Sequence, residues 1–314
     1  MLDSLNRDIN YMRISITDRC NFSCSYCRVD ISKHLKHEDI LTYEEILQVC
    51  KSAIKLGICN FKITGGEPTV RRNYIHFIQQ LKQLNGVGKV TMTSNGFLLN
   101  EDDLKQLKVA GIDGINFSID TLNPSAYFNI CHVDALGKVL ENLNLAYAMG
   151  IKVKVNVVVD ASFTLERMKE MMTLMKDKEI PVRFIEQMSM GYRANCSKIE
   201  EIKDAFFKEF SCCPIDKKLG QGPAHYYQVE GYKGYVGFIE AIHHKFCSTC
   251  NRVRLSSVGD LKLCLYHKDS LNLKAFLGNP KELEKMMQQA IYHKPKEHHF
   301  EDEKTNIQMN DIGG

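Results

Sequence analysis

Up to Gln187 the chain alternates between two hydrophobic rhythms. Short β-branched runs predict strands over 11–17, 58–64, 89–93, 114–119, 151–159 and 181–185. Between them, apolar positions recurring every three or four residues predict helices over 43–56, 73–84, 101–109, 135–149 and 165–178. Thr42 and Glu45 are spaced as a capping box, and Gly57, Gly111 and Gly150 stand where helices end on glycine. Six strand–helix steps of this kind build a parallel sheet with helices outside, an α/β fold. A closed eight-fold barrel needs two more steps, so the expectation is an open, partial TIM-type barrel.

Strand C-terminal ends are then expected to carry the site. Here they hold Asp18 to Cys27, Gly65-Gly66-Glu67-Pro68, Ser94-Asn95-Gly96, and Ser118 with Asp120. After Gln187 the rhythm breaks. A helix is predicted over 199–210, short strands over 226–229 and 234–239, and helices over 271–277 and 281–293. The polar tail ends in Gly313-Gly314. The expected organisation is a barrel over 1–195 and a C-terminal extension over 196–314.

Composition narrows the function classes. With 44% hydrophobic and 25% charged residues the chain reads as globular. A formal charge of +3 argues against wholesale nucleic-acid binding, yet permits a local basic pocket for an anion. No apolar run approaches membrane-spanning length and the first ten residues lack signal-peptide character, so the expected location is the cytoplasm. In that reducing compartment twelve Cys point to metal or redox sites rather than disulfides. Cys50, Cys59, Cys131, Cys196, Cys212 and Cys213 are expected mostly as small buried hydrophobes, Cys212-Cys213 being the least clear.

The remaining six cysteines form two groups. Cys20, Cys24 and Cys27 have the spacing C-x3-C-x2-C in a polar loop, with Tyr26 before the last. Three thiolates so close can hold three corners of an iron–sulfur cube and leave one iron open. A zinc ion would want a fourth ligand, for which His34 and His37 are nearby. Cys247, Cys250 and Cys264 form the second group, and with His267 they make a Cys3His set that suits zinc as well as a cluster.

The first triplet, followed one β-α unit later by Gly65-Gly66-Glu67-Pro68, resembles the radical S-adenosylmethionine (SAM) superfamily. The resemblance implies a [4Fe–4S] cluster whose open iron binds SAM, with the glycine segment and Glu67 on the SAM amino group. Glycines expose backbone without a side chain in the way, and a carboxylate suits an ammonium. One electron from the cluster then releases a 5′-deoxyadenosyl radical.

The second triplet in C-x2-C-x13-C array, with Arg252 and Arg254 just after Cys250, resembles the GTP 3′,8-cyclase family, the molybdenum cofactor biosynthesis protein A. The same resemblance runs through Met12-Arg13-Ile14-Ser15, Lys62-Ile63-Thr64, Thr93-Ser94-Asn95-Gly96, Asn116 to Asp120, Val153 to Asn156, Arg183 to Glu186 and the final Gly-Gly. It implies a second [4Fe–4S] cluster facing GTP. It further implies SAM contacts from Tyr26, Gly66, Glu67, Ser118 and Met188, and GTP contacts from Arg13, Lys62, Thr93, Lys154, Arg252 and Arg254. Gly313 and Gly314 would form a tail that supports catalysis. Lys62 stands where the family has Arg, which keeps the charge and loses the planar fork. The implied partners are GTP, a flavodoxin- or ferredoxin-like electron donor, a downstream cyclic pyranopterin monophosphate synthase and a second copy of the chain. A two-cluster radical SAM enzyme acting on a peptide, and a non-catalytic zinc or iron–sulfur module, are the alternatives.

Overall fold

The computed structural model describes residues 1–27, 35–188 and 197–300. Its first six strands are β1 (Tyr11–Ser15), β2 (Asn60–Thr64), β3 (Val90–Ser94), β4 (Gly114–Ser118), β5 (Val153–Val159) and β6 (Pro181–Glu186). Each pairs in parallel with the next. The connections carry α1 (Tyr43–Lys55), α2 (Tyr74–Lys82), α3 (Glu101–Val109), α4 (Pro124–Cys131), α5 (Leu136–Ala148) and α6 (Leu165–Met172). Alternate strand residues, among them Met12, Ile14, Phe61, Ile63, Phe117 and Val155, are wholly buried in one apolar core. The residues between them, such as Arg13, Lys62, Asn116 and Lys154, line a cavity on the opposite face. The capping box forms as spaced: Glu45 N–H donates to Thr42 Oγ1 at 3.2 Å and Thr42 N–H to the Glu45 carboxylate at 2.7 Å.

The rest of the chain adds α7 (Ile199–Glu209), β7 (Cys212–Ile215), β8 (His225–Val229), β9 (Tyr235–Ile239), β10 (Arg252–Leu255), β11 (Asp260–Lys262), β12 (Ser270–Asn272) and α8 (Pro280–Tyr292). Its strands continue the same sheet at both edges, in the order β12-β11-β10-β1-β2-β3-β4-β5-β6-β9-β8-β7. β10 runs parallel to β1, and β9 runs parallel to β6. These are the two parallel neighbours missing from the β-α rhythm. They pair outward with antiparallel β11 and β8 rather than with each other, so the barrel stays open among the described residues.

Some elements differ from expectation. The helix predicted over 271–277 is instead β12 followed by a 3-10 turn at Lys274–Phe276. The Asn272 amide donates to the Val258 carbonyl at 3.2 Å and to Asp260 at 3.0 Å, and seven residues are too few to sustain a helix against that pairing. The helix predicted over 165–178 closes at Met172 and tightens to a 3-10 turn at Thr173–Met175, where the Thr173 hydroxyl donates back to the Glu170 carbonyl at 2.7 Å. Helix α4 was unexpected, although its start signal is plain: Asn123 caps the Ala126 N–H at 2.9 Å with Pro124 at the first helical position.

Strand C-terminal ends carry one part of the site, and the second triplet lies at the other end. Cys20 to Cys27 follow the C-terminal end of β1, but Cys247 and Cys250 precede the N-terminal end of β10. Since Tyr11 pairs with Arg252 in parallel register, the two groups lie at opposite ends of the sheet. The length of β1 separates them, about 16 Å at about 3.3 Å per residue.

Candidate active site

A cavity of about 730 Å³ is lined by both cysteine triplets and by every residue within the described chain that was expected to contact SAM or GTP. Gly313 and Gly314, with His34, lie outside the described residues. His37 is exposed on a short turn.

At one end the first cysteine loop rests on the glycine segment. Gly66 N–H donates to the Thr17 carbonyl at 2.7 Å, and Glu67 N–H to the Arg19 carbonyl at 2.8 Å. A Cβ on Gly66 would lie 2.2 Å from the Arg19 carbonyl oxygen, so only glycine allows the two backbones to touch. The glycine amide therefore serves the cysteine loop, while Glu67 points inward. Its carboxylate accepts from Thr69 N–H at 3.1 Å, Thr69 Oγ1 at 2.7 Å, Ser94 Oγ at 2.7 Å and Asn95 N–H at 2.7 Å. The carboxyl end of α4 braces the loop from the other side, Ser25 N–H donating to the Ile130 carbonyl at 2.7 Å. Tyr26 donates to Asp120 at 2.8 Å, and Val158 N–H donates to the other oxygen of Asp120 at 2.8 Å.

Burial pushes the Glu67 and Asp120 carboxyls up, against the hydrogen bonds that hold them down. Burial also raises Cys24, and so do Asp120 and the neighbouring thiols of Cys27 and Cys20. Thiols crowded beside a carboxylate ionise only if a cationic group takes them, which suits three iron corners of a cube. The two buried carboxylates suit a cationic ligand, and SAM carries an ammonium and a sulfonium.

Toward the other end the charge reverses. The parallel register puts Arg254, Arg13 and Lys62 side by side on β10, β1 and β2. Lys154 on β5 and Arg183 on β6 line the same cavity. Among the described residues no ion pair includes Arg13, Lys62, Lys154, Arg183 or Arg252. The Nε atoms of Arg13, Arg183 and Arg252 are buried without a hydrogen-bond partner. Burial, and then Arg183, Arg13, Lys154 and Arg252, drive Lys62 well below the ordinary lysine value. Lys154 is lowered to about 7 by burial and then by Arg183, Lys89 and Lys152. Like charges on neighbouring strands destabilise the fold until an anion sits among them.

Arg183 was not singled out from the sequence. Only 7% exposed, it sits between Val182 and Phe184 on β6 and donates to Asn156. Its strand partner Gly237 gives it room: a Cβ there would come within 3.1 Å of Arg183 Cγ. The signal was available in the alternation of the strand. Lys62 donates to the Asn116 amide oxygen once that amide is turned to satisfy its neighbours, and Arg183 donates to the same oxygen at 3.2 Å.

The second triplet opens into this basic end. Burial pushes Cys250 up, but the Lys294 and Arg252 charges more than offset it, leaving the thiol below its ordinary value. His267, the fourth member of the Cys3His set, is not among the cavity's lining residues, and its Nε2 donates to the Glu297 carbonyl at 2.9 Å. Among the described residues no three His, Cys, Asp or Glu side chains converge on a single ion, at either triplet. Met188 packs beside Phe300 and Leu265 and also lines the cavity. Of the other cysteines, Cys50 and Cys131 are buried as expected, Cys59 and Cys212 are half-buried, Cys213 is exposed and Cys196 lies outside the described residues.

A model of the Radical SAM superfamily matches residues 14–175, and one of Molybdenum Cofactor Synthesis C matches residues 180–300. The chain is 38% identical over 321 residues to a GTP 3′,8-cyclase of Peptoclostridium acidaminophilum, covering 100% of this chain and 98% of that one. It is 38% identical over 322 residues to a GTP 3′,8-cyclase of Alkaliphilus oremlandii, covering 100% of both. The crystal structure of Streptococcus suis SuiB bound to S-adenosylmethionine superposes with a TM-score of 0.62 at 15% identity, over 91% of this chain and 67% of that one, and shows the fold. Full-length similarity at this level, across both halves of the sheet, means that the chain belongs to the GTP 3′,8-cyclase family of radical SAM enzymes.

Proposed function

We propose that this chain converts GTP to (8S)-3′,8-cyclo-7,8-dihydroguanosine 5′-triphosphate, the first step of molybdenum cofactor biosynthesis, using SAM and two [4Fe–4S] clusters. The observation that carries this reading is the charge inside one cavity, with Asp120 acting on Cys24 of the first triplet, Glu67 beside that loop, and Arg13, Lys154, Arg183, Arg252 and Arg254 gathered about Lys62. SAM is a cation and GTP a polyanion, so the cavity's own charges sort the two ligands to opposite ends.

Cys20, Cys24 and Cys27 would hold the cluster beside SAM, and the two together would supply radical chemistry for hydrogen abstraction. Glu67 binds the SAM ammonium, with Tyr26, Gly66, Ser118 and Met188 shaping that end. Cys247, Cys250 and Cys264 would hold the substrate-facing cluster. Arg13, Lys62, Lys154, Arg183, Arg252 and Arg254 bind the nucleotide, with Thr93 beside them. Each charge-assisted hydrogen bond contributes about 1.5–3 kcal/mol. Lys62 gives one point contact, where Arg would give a fork. The Gly313-Gly314 tail supports catalysis from outside the described segments. In this reading residues 1–195 serve SAM and supply most of the nucleotide contacts, and residues 196–314 complete the nucleotide end.

A flavodoxin- or ferredoxin-like protein supplies electrons, and a cyclic pyranopterin monophosphate synthase consumes the product. The chain acts as a cytoplasmic homodimer. Among the described residues no helix is long and apolar enough to cross a membrane. Anaerobic incubation with GTP, SAM and a reductant tests the reaction: the cyclised nucleotide should form in step with 5′-deoxyadenosine. Deoxyadenosine without any cyclised nucleotide would reject GTP as substrate and favour a peptide.

A further inference from the structure

Arg7 is buried but is not among the residues that line the cavity. The residue is 6% exposed, and its Nε donates to Asp3 Oδ2 at 2.6 Å. Nη1 donates to the Cys247 carbonyl at 3.1 Å and the Lys296 carbonyl at 3.0 Å. Nη2 donates to the Lys294 carbonyl at 2.9 Å and the Pro295 carbonyl at 2.8 Å. All five guanidinium N–H groups are engaged. Asp3 is 3% exposed and fixed in turn, accepting from Leu5 N–H at 3.0 Å and Arg7 N–H at 2.9 Å.

Four carbonyls from two distant segments thus converge on one cation. Without it they would face one another as unpaired acceptors in a buried place. The segment they hold runs on from α8 and reaches the other leg of the second triplet. Lys294 Nζ donates to the Leu263 carbonyl, beside Cys264. His298 Nε2 donates to the Ala241 carbonyl at 2.7 Å, before Cys247.

We propose that Arg7, held by Asp3, is the positioning residue that sets the second cysteine triplet, fixing the turn at Cys247 against the segment after α8. It does not touch the substrate; it acts through the backbone of Cys247 and of residues 294–296. A planar five-donor fork is needed, so Lys replaces it only in part. This inference rests on reading Cys247, Cys250 and Cys264 as a cluster site.

The test compares wild type, Arg7→Gln and Arg7→Lys as full chains purified without air. Wild type should hold about eight iron per chain, Arg7→Gln about four with loss of the second cluster's spectrum, and Arg7→Lys an intermediate amount. In the iron-free chains, iodoacetamide labelling read by peptide mass spectrometry should rise roughly five-fold or more at Cys247, Cys250 and Cys264 in Arg7→Gln. Labelling of Cys20, Cys24 and Cys27 should stay at the wild-type rate. Full iron in Arg7→Gln overturns the proposal. So does a parallel rise at both triplets, because Arg7 would then support the fold in general. Wild type with only about four iron would instead overturn the two-cluster reading itself.

Discussion

The two cysteine triplets are held in different ways. The first is compact in sequence. Its residues span Cys20 to Cys27, and backbone contacts from the neighbouring strand loop, at Gly66 and Glu67, and from the end of α4, at Ile130, fix it in place. The second is assembled from afar: Cys247 meets a guanidinium 240 residues earlier in the chain, and Leu263 meets a lysine 31 residues later. Their surroundings differ in sign too, acidic around Cys24 and basic around Cys250. One cavity can therefore hold a cationic and an anionic ligand without either displacing the other.

Removing the close approach at the first triplet should have the largest effect. Gly66→Ala places a methyl against the Arg19 carbonyl and must push the loop aside. Reductive SAM cleavage should fall by about 10²-fold or more, followed as 5′-deoxyadenosine, while iron at the second triplet stays. Equal loss at both triplets would erase the contrast drawn above.

At the basic end, Arg183→Ala removes one buried cation and its fork. The KM for GTP should rise about ten- to a hundred-fold, the equivalent of about 1.5–3 kcal/mol. An unchanged KM would place the triphosphate elsewhere.

A smaller effect should appear in pH dependence. Lys154 titrates at about 7 in the free chain because burial and neighbouring cations disfavour its charge. A bound polyanion restores that charge. GTP affinity should hold below about pH 7 and fall as pH rises towards the higher pKa of the complex, with proton uptake on binding seen by calorimetry in two buffers. For the fold the sign is opposite. The unfolded chain binds more protons between about 7 and the ordinary lysine value, so Lys154 costs stability below that window and the cost fades as pH rises through it. Lys154→Met should flatten both profiles.

The smallest change is Tyr26→Phe, which removes the 2.8 Å hydrogen bond to Asp120. SAM binding should weaken only a few-fold, for a loss of about 0.5–1.5 kcal/mol. A hundred-fold loss would make Tyr26 a direct ligand contact of much greater weight.

The sequence was most legible where chemistry and fold share a short stretch. The first triplet and Gly-Gly-Glu-Pro could be joined on paper because they end neighbouring strands. Lys154 alternates with Val153 and Val155, which left its face open between cavity and surface, and it lines the cavity. Strand β10 and the Arg254–Arg13–Lys62 row were not legible, because β10 pairs with a strand some 240 residues earlier and no local pattern encodes that register. Arg7 was missed for the same reason: its meaning lies in four carbonyls it meets only after folding.

Local pattern by itself determined the α/β rhythm, the spacing of both triplets and the charge of the residues that face inward, since strand alternation and loop spacing are properties of consecutive residues. Only the tertiary structure decided that the C-terminal strands close in on both edges of the sheet and that the cations gather in a row. Those outcomes depend on pairing between segments far apart in the chain, which the burial of a shared core selects and no short stretch of sequence can specify.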